Sequence, residues 1–134
     1  YMEGSNEVKK TMDIIAQSPL YCDAFRLLVI FNNLLSNSIK YRDHKKEENF
    51  VHFYITIEKT LLTIKVQDNG IGIPPDFVPK IFNMFYRATE KSEGAGLGLY
   101  IVRETVQKLG GKIEVHSEHG IGTTFEIEIP NRIQ

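Results

Sequence analysis

LLTIKVQDNGIGIP, residues 61–74, is the stretch that decides the fold. Leu62, Ile64 and Val66 alternate with polar neighbours, and a period of two marks a strand with one buried face. Asp68 falls on the same inward set. A carboxylate at the core end of a strand is costly unless something donates hydrogen bonds to it. An exocyclic amine, such as that of adenine, would do so. Gly70 and Gly72 permit positive φ and let backbone approach a flat ligand closely. The alternative is a tight turn, for which Asp-Asn-Gly is also good chemistry. The inward position of Asp68 favours a ligand.

Outward from this strand, residues 50–58 also alternate, with Val51, Phe53, Ile55 and Ile57 aligned, and Lys59–Thr60 is short enough to make the two a hairpin. Residues 24–41 read as a long helix capped by Asp23. Residues 42–49, RDHKKEEN, read as a solvated charged loop. Before the helix, residues 8–15 carry a weak strand pattern that breaks at Ser18–Pro19. Beyond the central strand, residues 68–75 are loop, 76–85 a short helix and 87–94 a polar segment. Residues 97–109 are helical in period and stop at Gly110–Gly111. Residues 112–118 and 123–129 close the chain as strands around a His119–Gly120 turn. Blocks of helix and strand with an antiparallel hairpin pack most naturally as an α/β (α+β) two-layer sandwich. The expectation is a mixed, mostly antiparallel sheet of about five strands, covered on one face by about three helices.

Composition narrows the function classes. At 134 residues there is material for one core, and 42% hydrophobic with 25% charged residues is ordinary for a globular domain. A net charge of -1 lacks the basic excess of a nucleic-acid binder. No apolar run approaches the ~20 residues of a membrane span, and no signal-peptide pattern opens the chain. One cysteine, Cys22, rules out an internal disulfide, fits a reducing cytosol and reads as a packing residue. A chain that starts at Tyr1 reads as a piece of something longer.

Four more pieces carry chemistry. On the long helix, Asn33, Asn37, Lys40 and Tyr41 share a face, while Leu27, Ile30, Leu34 and Ser38 lie opposite. Amide oxygens can hold Mg²⁺ and a Lys amine suits phosphate; the alternative is a merely solvated helix face. Gly94-Ala95-Gly96-Leu97-Gly98-Leu99 opens the last helix, where exposed N–H groups and the dipole make an anion site. It is neither a Walker loop nor a dinucleotide fingerprint. Ile81-Phe82-Asn83-Met84-Phe85-Tyr86-Arg87 is an aromatic packing segment ending in a guanidinium. Gly122-Thr123-Thr124-Phe125 begins the last strand, with Thr123 inward, where Asp68 also points.

With these pieces in this order, residues 8–130 resemble the catalytic domain of two-component sensor histidine kinases, within the gyrase, chaperone, kinase and mismatch-repair ATPase superfamily. Residues 33–41 look like its asparagine box, 68–74 its first glycine box, 81–87 its phenylalanine box, 94–99 its second glycine box and 120–125 its last. The resemblance implies the Bergerat fold, ATP and Mg²⁺ as cofactors, and transfer of the γ-phosphate to a histidine on a separate dimerisation and phospho-acceptor domain, with a response regulator downstream. It implies that residues 1–7 are the tail of a linker and 8–134 the catalytic domain, cytoplasmic in a parent that could be membrane-anchored. Neither nucleic acid nor membrane contact is expected of the domain itself. By the same resemblance, Asp68 accepts from the adenine amine, Gly72 and Thr123 lie near the base, Thr123 through water, and Gly70, Ile73 and Phe82 belong to the nucleotide-binding set. Asn37 ligates Mg²⁺ with Asn33 in support. Lys40, Tyr41 and Arg87 contact phosphates or ribose; the backbone of Gly96, Leu97, Gly98 and Leu99 holds the triphosphate; residues 89–94 form a short lid, with Gly94 in the nucleotide-binding set. Asn33, Asn37, Lys40 and Arg87 would be the catalytic set.

Two departures stand out. Ala95 occupies a position where family members often carry Thr or Ser. The phospho-acceptor, a His followed by Glu or Asp, is missing: His44, His52, His116 and His119 are followed by Lys45, Phe53, Ser117 and Gly120. The competing readings are an ATP-hydrolysing clamp domain, an anti-sigma-type serine kinase, and a regulatory module that binds nucleotide without phosphotransfer. The first two place a Glu general base where this chain has Asn33, which cannot take a proton at neutral pH.

Overall fold

The computed structural model describes residues 4–83 and 97–132. Its elements run β1 (Val8–Ala16), α1 (Ala24–Lys40), β2 (Asn49–Ile57), β3 (Leu61–Asp68), α2 (Gly98–Lys108), β4 (Lys112–Glu118) and β5 (Gly122–Pro130), with 3-10 turns at Ser5–Glu7 and Pro75–Lys80. One five-stranded sheet has the order β1-β2-β3-β5-β4. β1 and β2 pair in parallel, joined by α1 as the crossover that parallel neighbours require, and the remaining pairs are antiparallel. The sheet is thus mixed and mostly antiparallel, as its sequence implies, and the helices cover one face.

α1 starts where Asp23 caps it: Oδ1 accepts from the backbone N–H of Phe25 at 3.0 Å and of Arg26 at 3.2 Å. It buries Leu27, Ile30, Leu34, Ser38 and Ile39 against the sheet. The inward residues of the hairpin are the expected ones: Phe53, Ile55 and Ile57 pair with Val66, Ile64 and Leu62, and Val51 pairs with Asp68. Phe125, Ile127 and Ile129 of β5 and Val102 and Val106 of α2 complete the core. Each of these side chains contributes about 1.5–3 kcal/mol by leaving water.

β1 shows little periodicity because it is an edge strand, exposed at every position after Val8. The short helix expected over residues 76–85 is a 3-10 helix over Pro75–Lys80, followed by a turn in which Asn83 N–H donates to Lys80 O at 3.0 Å. Pro79 lacks the N–H that would donate to Pro75 O in an α-helix, whereas Pro75 sits at the first position, where no N–H is needed. Residues 84–85 of that expectation lie outside the described residues. Other element ends fall within one or two residues of expectation. Cys22 packs against the core, and burial pushes its thiol pKa up, which suits an inert packing residue. No described helix is long and apolar enough to cross a membrane.

Candidate functional site

The site grows from the end of β3. Asp68 is the last residue of that strand and pairs with Thr123 of β5. Its Oδ1 accepts from Gly70 N–H at 2.9 Å and from Thr123 N–H at 3.3 Å, and Oδ2 accepts from the Ser38 hydroxyl at 3.2 Å. Burial pushes the carboxyl pKa above its ordinary value. The Gly70 N–H, the Ser38 hydroxyl, the Thr123 N–H and the positive charge of Lys46 pull it back. A carboxylate has about four acceptor positions. Among the described residues Oδ1 has two donors and Oδ2 one, which leaves one acceptor position on Oδ2.

The first glycine turn is fixed on both flanks. Ile71 N–H donates to Tyr41 O at 3.0 Å, at the C-terminal cap of α1, and Gly120 N–H donates to Ile71 O at 2.7 Å. Gly72 has φ 73°, and a Cβ there would stand 2.2 Å from Glu118 O, so no other residue fits. Gly122 is as tightly placed, its notional Cβ 2.1 Å from Asp68 O. Ser117 links the two turns, accepting from Ile73 N–H at 2.8 Å, donating to Gly122 O at 3.1 Å and meeting Thr123 Oγ1 at 2.8 Å. Its one proton is given to Gly122 O, so Thr123, which is buried, donates to Ser117 and keeps its own oxygen as an acceptor.

The polar face of α1 meets the start of α2. Asn33 Nδ2 donates to Val29 O at 2.7 Å, and a Cβ on Gly98 would lie 3.4 Å from Asn33 Oδ1. Among the described residues, the Asn37 amide and the Lys40 ammonium make no hydrogen bond or ion pair, and both are partly buried. A neutral amide oxygen and an ammonium held together on one helix face suit a hydrated divalent cation bound to phosphates. Ile73 and Leu99 pack against the core, and Phe82 meets Phe125 edge to face at 6.3 Å. Leu97 caps α2 and Gly98 opens it.

Asn33, Asn37, Lys40, Tyr41, Asp68, Gly70, Gly72, Ile73, Phe82, Leu97, Gly98, Leu99 and Thr123 therefore lie at one end of the sandwich, around the junction of α1, α2 and the ends of β3 and β5. Arg87, Gly94 and Gly96, with the lid expected over residues 89–94, lie outside the described residues. Sequence reasoning missed Ser117 and Lys46 and took Ser38 for a core-face residue only. Ser38 did carry a signal, since a hydroxyl among buried apolar neighbours demands a partner.

Residues 22–133 match the profile of the histidine kinase-, DNA gyrase B-, and HSP90-like ATPases. The sensor histidine kinase WalK of Bacillus subtilis is 41% identical over 114 residues, covering 81% of this chain and 18% of that protein. A probable C4-dicarboxylate sensor kinase of Halalkalibacterium halodurans is 39% identical over 107 residues, covering 79% of this chain and 20% of that protein. The chain thus spans about a fifth of the length of these relatives. Among solved structures, full-length ShkA in complex with AMPPNP matches with a TM-score of 0.79 at 28% identity, covering 95% of this chain and 26% of that one. The mycobacterial sensor histidine kinase MprB, at 24% identity and a TM-score of 0.77, shares the fold over 97% of this chain and 88% of its own. With the asparagine and glycine segments folded to one end of such a sandwich, the chain belongs to the histidine kinase-, DNA gyrase B-, and HSP90-like ATPase family, as a catalytic domain of the sensor histidine kinase type.

Proposed function

We propose that this domain binds Mg²⁺–ATP and presents the γ-phosphate to a histidine on a separate dimerisation and phospho-acceptor domain. The observation that carries it is the remaining acceptor position on Asp68 Oδ2, in a partly buried carboxylate already held by three donors. Such a group selects a ligand with an N–H directed at it, as the exocyclic amine of adenine has. Guanine offers a carbonyl there and leaves two acceptors facing. Adenine N1 is itself an acceptor, and Thr123 keeps only an acceptor, so a water donating to both joins them. Asn37, supported by Asn33, would hold the cation, with Lys40 beside it. Tyr41 and Arg87 would contact phosphate or ribose, and the N–H groups from Gly94 to Leu99 would hold the triphosphate. The cation supplies charge neutralisation between the phosphates.

Transfer needs an in-line nucleophile. Asn33 is an amide and cannot deprotonate water, and no histidine here precedes an acid. An imidazole on another domain needs no base on this one, which favours histidine phosphorylation over hydrolysis. The test mixes the domain with a dimerisation and acceptor domain of the sensor kinase type and γ-labelled ATP. Expected are acid-labile phosphohistidine on the acceptor, its loss in Asn37→Ala, slow hydrolysis by the domain alone and no self-labelling. Brisk hydrolysis without a partner would move the assignment to the clamp-type ATPases. Tight ATP binding with no transfer to any acceptor would leave a regulatory nucleotide-binding module. A response regulator would take the phosphoryl group from the acceptor histidine.

A further inference from the structure

Residues 42–49 look like a solvated loop, yet Lys46 does not follow the solvent. Its ammonium lies 2.6 Å from Asn69 O, 3.0 Å from Ile121 O and 3.3 Å from Gly70 O. Three carbonyls are a full complement for three N–H donors. They belong to two turns far apart in sequence, one following Asp68 and the other preceding Gly122 and Thr123. The ladder between β3 and β5 ends with the pair Asp68–Thr123; beyond it Gly120 N–H on Ile71 O and the Ser117 hydroxyl join the turns, and Lys46 adds the cationic tie. Carbonyls converging there repel one another, and an ammonium among them turns that repulsion into attraction. On the other side of β3, Asn69 ties its turn to the start of β2: its Oδ1 accepts from Phe50 N–H at 2.7 Å and its Nδ2 donates to Glu48 O at 2.8 Å. Fixing a lysine side chain forfeits up to about 2 kcal/mol of rotamer entropy, so an idle surface lysine would not be expected in this arrangement.

We propose that Lys46 is a positioning residue for the nucleotide base, clamping the turns on either side of Asp68 and Thr123 at the separation at which Asp68 accepts from the adenine amine. The inference rests on the ATP reading above and deepens it. Lys46 acts through backbone and through its charge, which favours the ionised form of Asp68, and not through a phosphate.

The test uses Lys46→Met and Lys46→Arg in this chain, titrated calorimetrically with ATP, ADP and AMP from about pH 5 to 8. Lys46→Met should weaken all three nucleotides by one common factor, about tenfold, the order expected for losing one charge-assisted contact. The acid edge, where affinity is lost as Asp68 takes up a proton, should move to higher pH in Lys46→Met and return towards the wild-type position in Lys46→Arg. A purely structural role would not move that edge. Should Lys46→Met not fold, Lys46→Gln, which donates N–H groups but carries no charge, is read by the same titrations. A loss that grows from AMP to ATP would make Lys46 a phosphate contact and overturn the proposal. Unchanged affinity and an unmoved acid edge would overturn it too, with the ATP reading intact. A wild-type chain that binds no adenine nucleotide would overturn both.

Discussion

Replacing Asp68 by Asn should make the empty domain more stable and the nucleotide site worse, and the two effects have one cause. Burial raises the carboxyl pKa, so the native state holds the proton more readily than the unfolded chain does. The sign follows: stability associated with Asp68 is greatest at low pH and falls as pH rises through the raised native pKa, leaving a cost at neutral pH. Asn carries no charge, and its Oδ1 can still accept from the N–H groups of Gly70 and Thr123 while its Nδ2 donates to the Ser38 oxygen, so the present hydrogen-bond partners remain satisfied. A gain of about 1 kcal/mol is the size expected for neutralising such a functional group, equivalent to about 3–5 °C in Tm for a domain of this length. The site suffers because Nδ2 then stands where Oδ2 offered its remaining lone pair, and two donors face each other. A hydrogen bond to a charged group contributes about 1.5–3 kcal/mol, so ATP affinity should fall about 10- to 150-fold. Differential scanning calorimetry of both proteins without ligand, repeated at falling pH, measures the first effect. The Tm difference should shrink as the wild-type carboxyl takes up its proton. Isothermal titration with ATP and GTP measures the second. A lower Tm for Asp68→Asn, a difference independent of pH, or equal wild-type affinity for ATP and GTP would refute the reasoning.

Ser38→Ala removes the only donor to Asp68 Oδ2 among the described residues; calorimetry should show ATP affinity lowered about 2- to 10-fold, the range for one hydrogen bond. Gly72→Ala combines φ 73° with a Cβ 2.2 Å from Glu118 O; it should cost about 2 kcal/mol or more, seen as a lower urea midpoint. Asn131 is buried, accepts from Tyr21 N–H and donates to Pro19 O and Glu58 O. Asn131→Ala strands all three groups and should cost about 2–4 kcal/mol in urea unfolding, with ATP affinity at saturating stability unchanged.

What the sequence reveals and what it hides divides along a physical line. β3 is legible to the residue, because both its faces are decided by a strict alternation that ends in Asp-Asn-Gly. α1 is legible because a capping Asp precedes an apolar stripe of helical period. Both signals are local, carried by near neighbours in the chain. β1 gives little signal because an exposed edge strand has no buried face to write a period. The short helix after β3 is legible as a helix but not in its 3-10 form, because apolar spacing does not report the N–H donor that Pro79 lacks. In the candidate site, the residues that the sequence singles out are those whose own chemistry is conspicuous, such as the buried-side carboxylate Asp68 and the paired amides Asn33 and Asn37. Those missed act on backbone from a distance. Ser117 reaches Ile73 N–H and Gly122 O across a hairpin, and Lys46 gathers carbonyls from two separate turns. Nothing in RDHKKEEN distinguishes Lys46 from Lys45, since the distinction lies in where three carbonyl oxygens converge. The candidate ligand groups are thus written as residue types, whereas the groups that hold the backbone around them are written only in the fold.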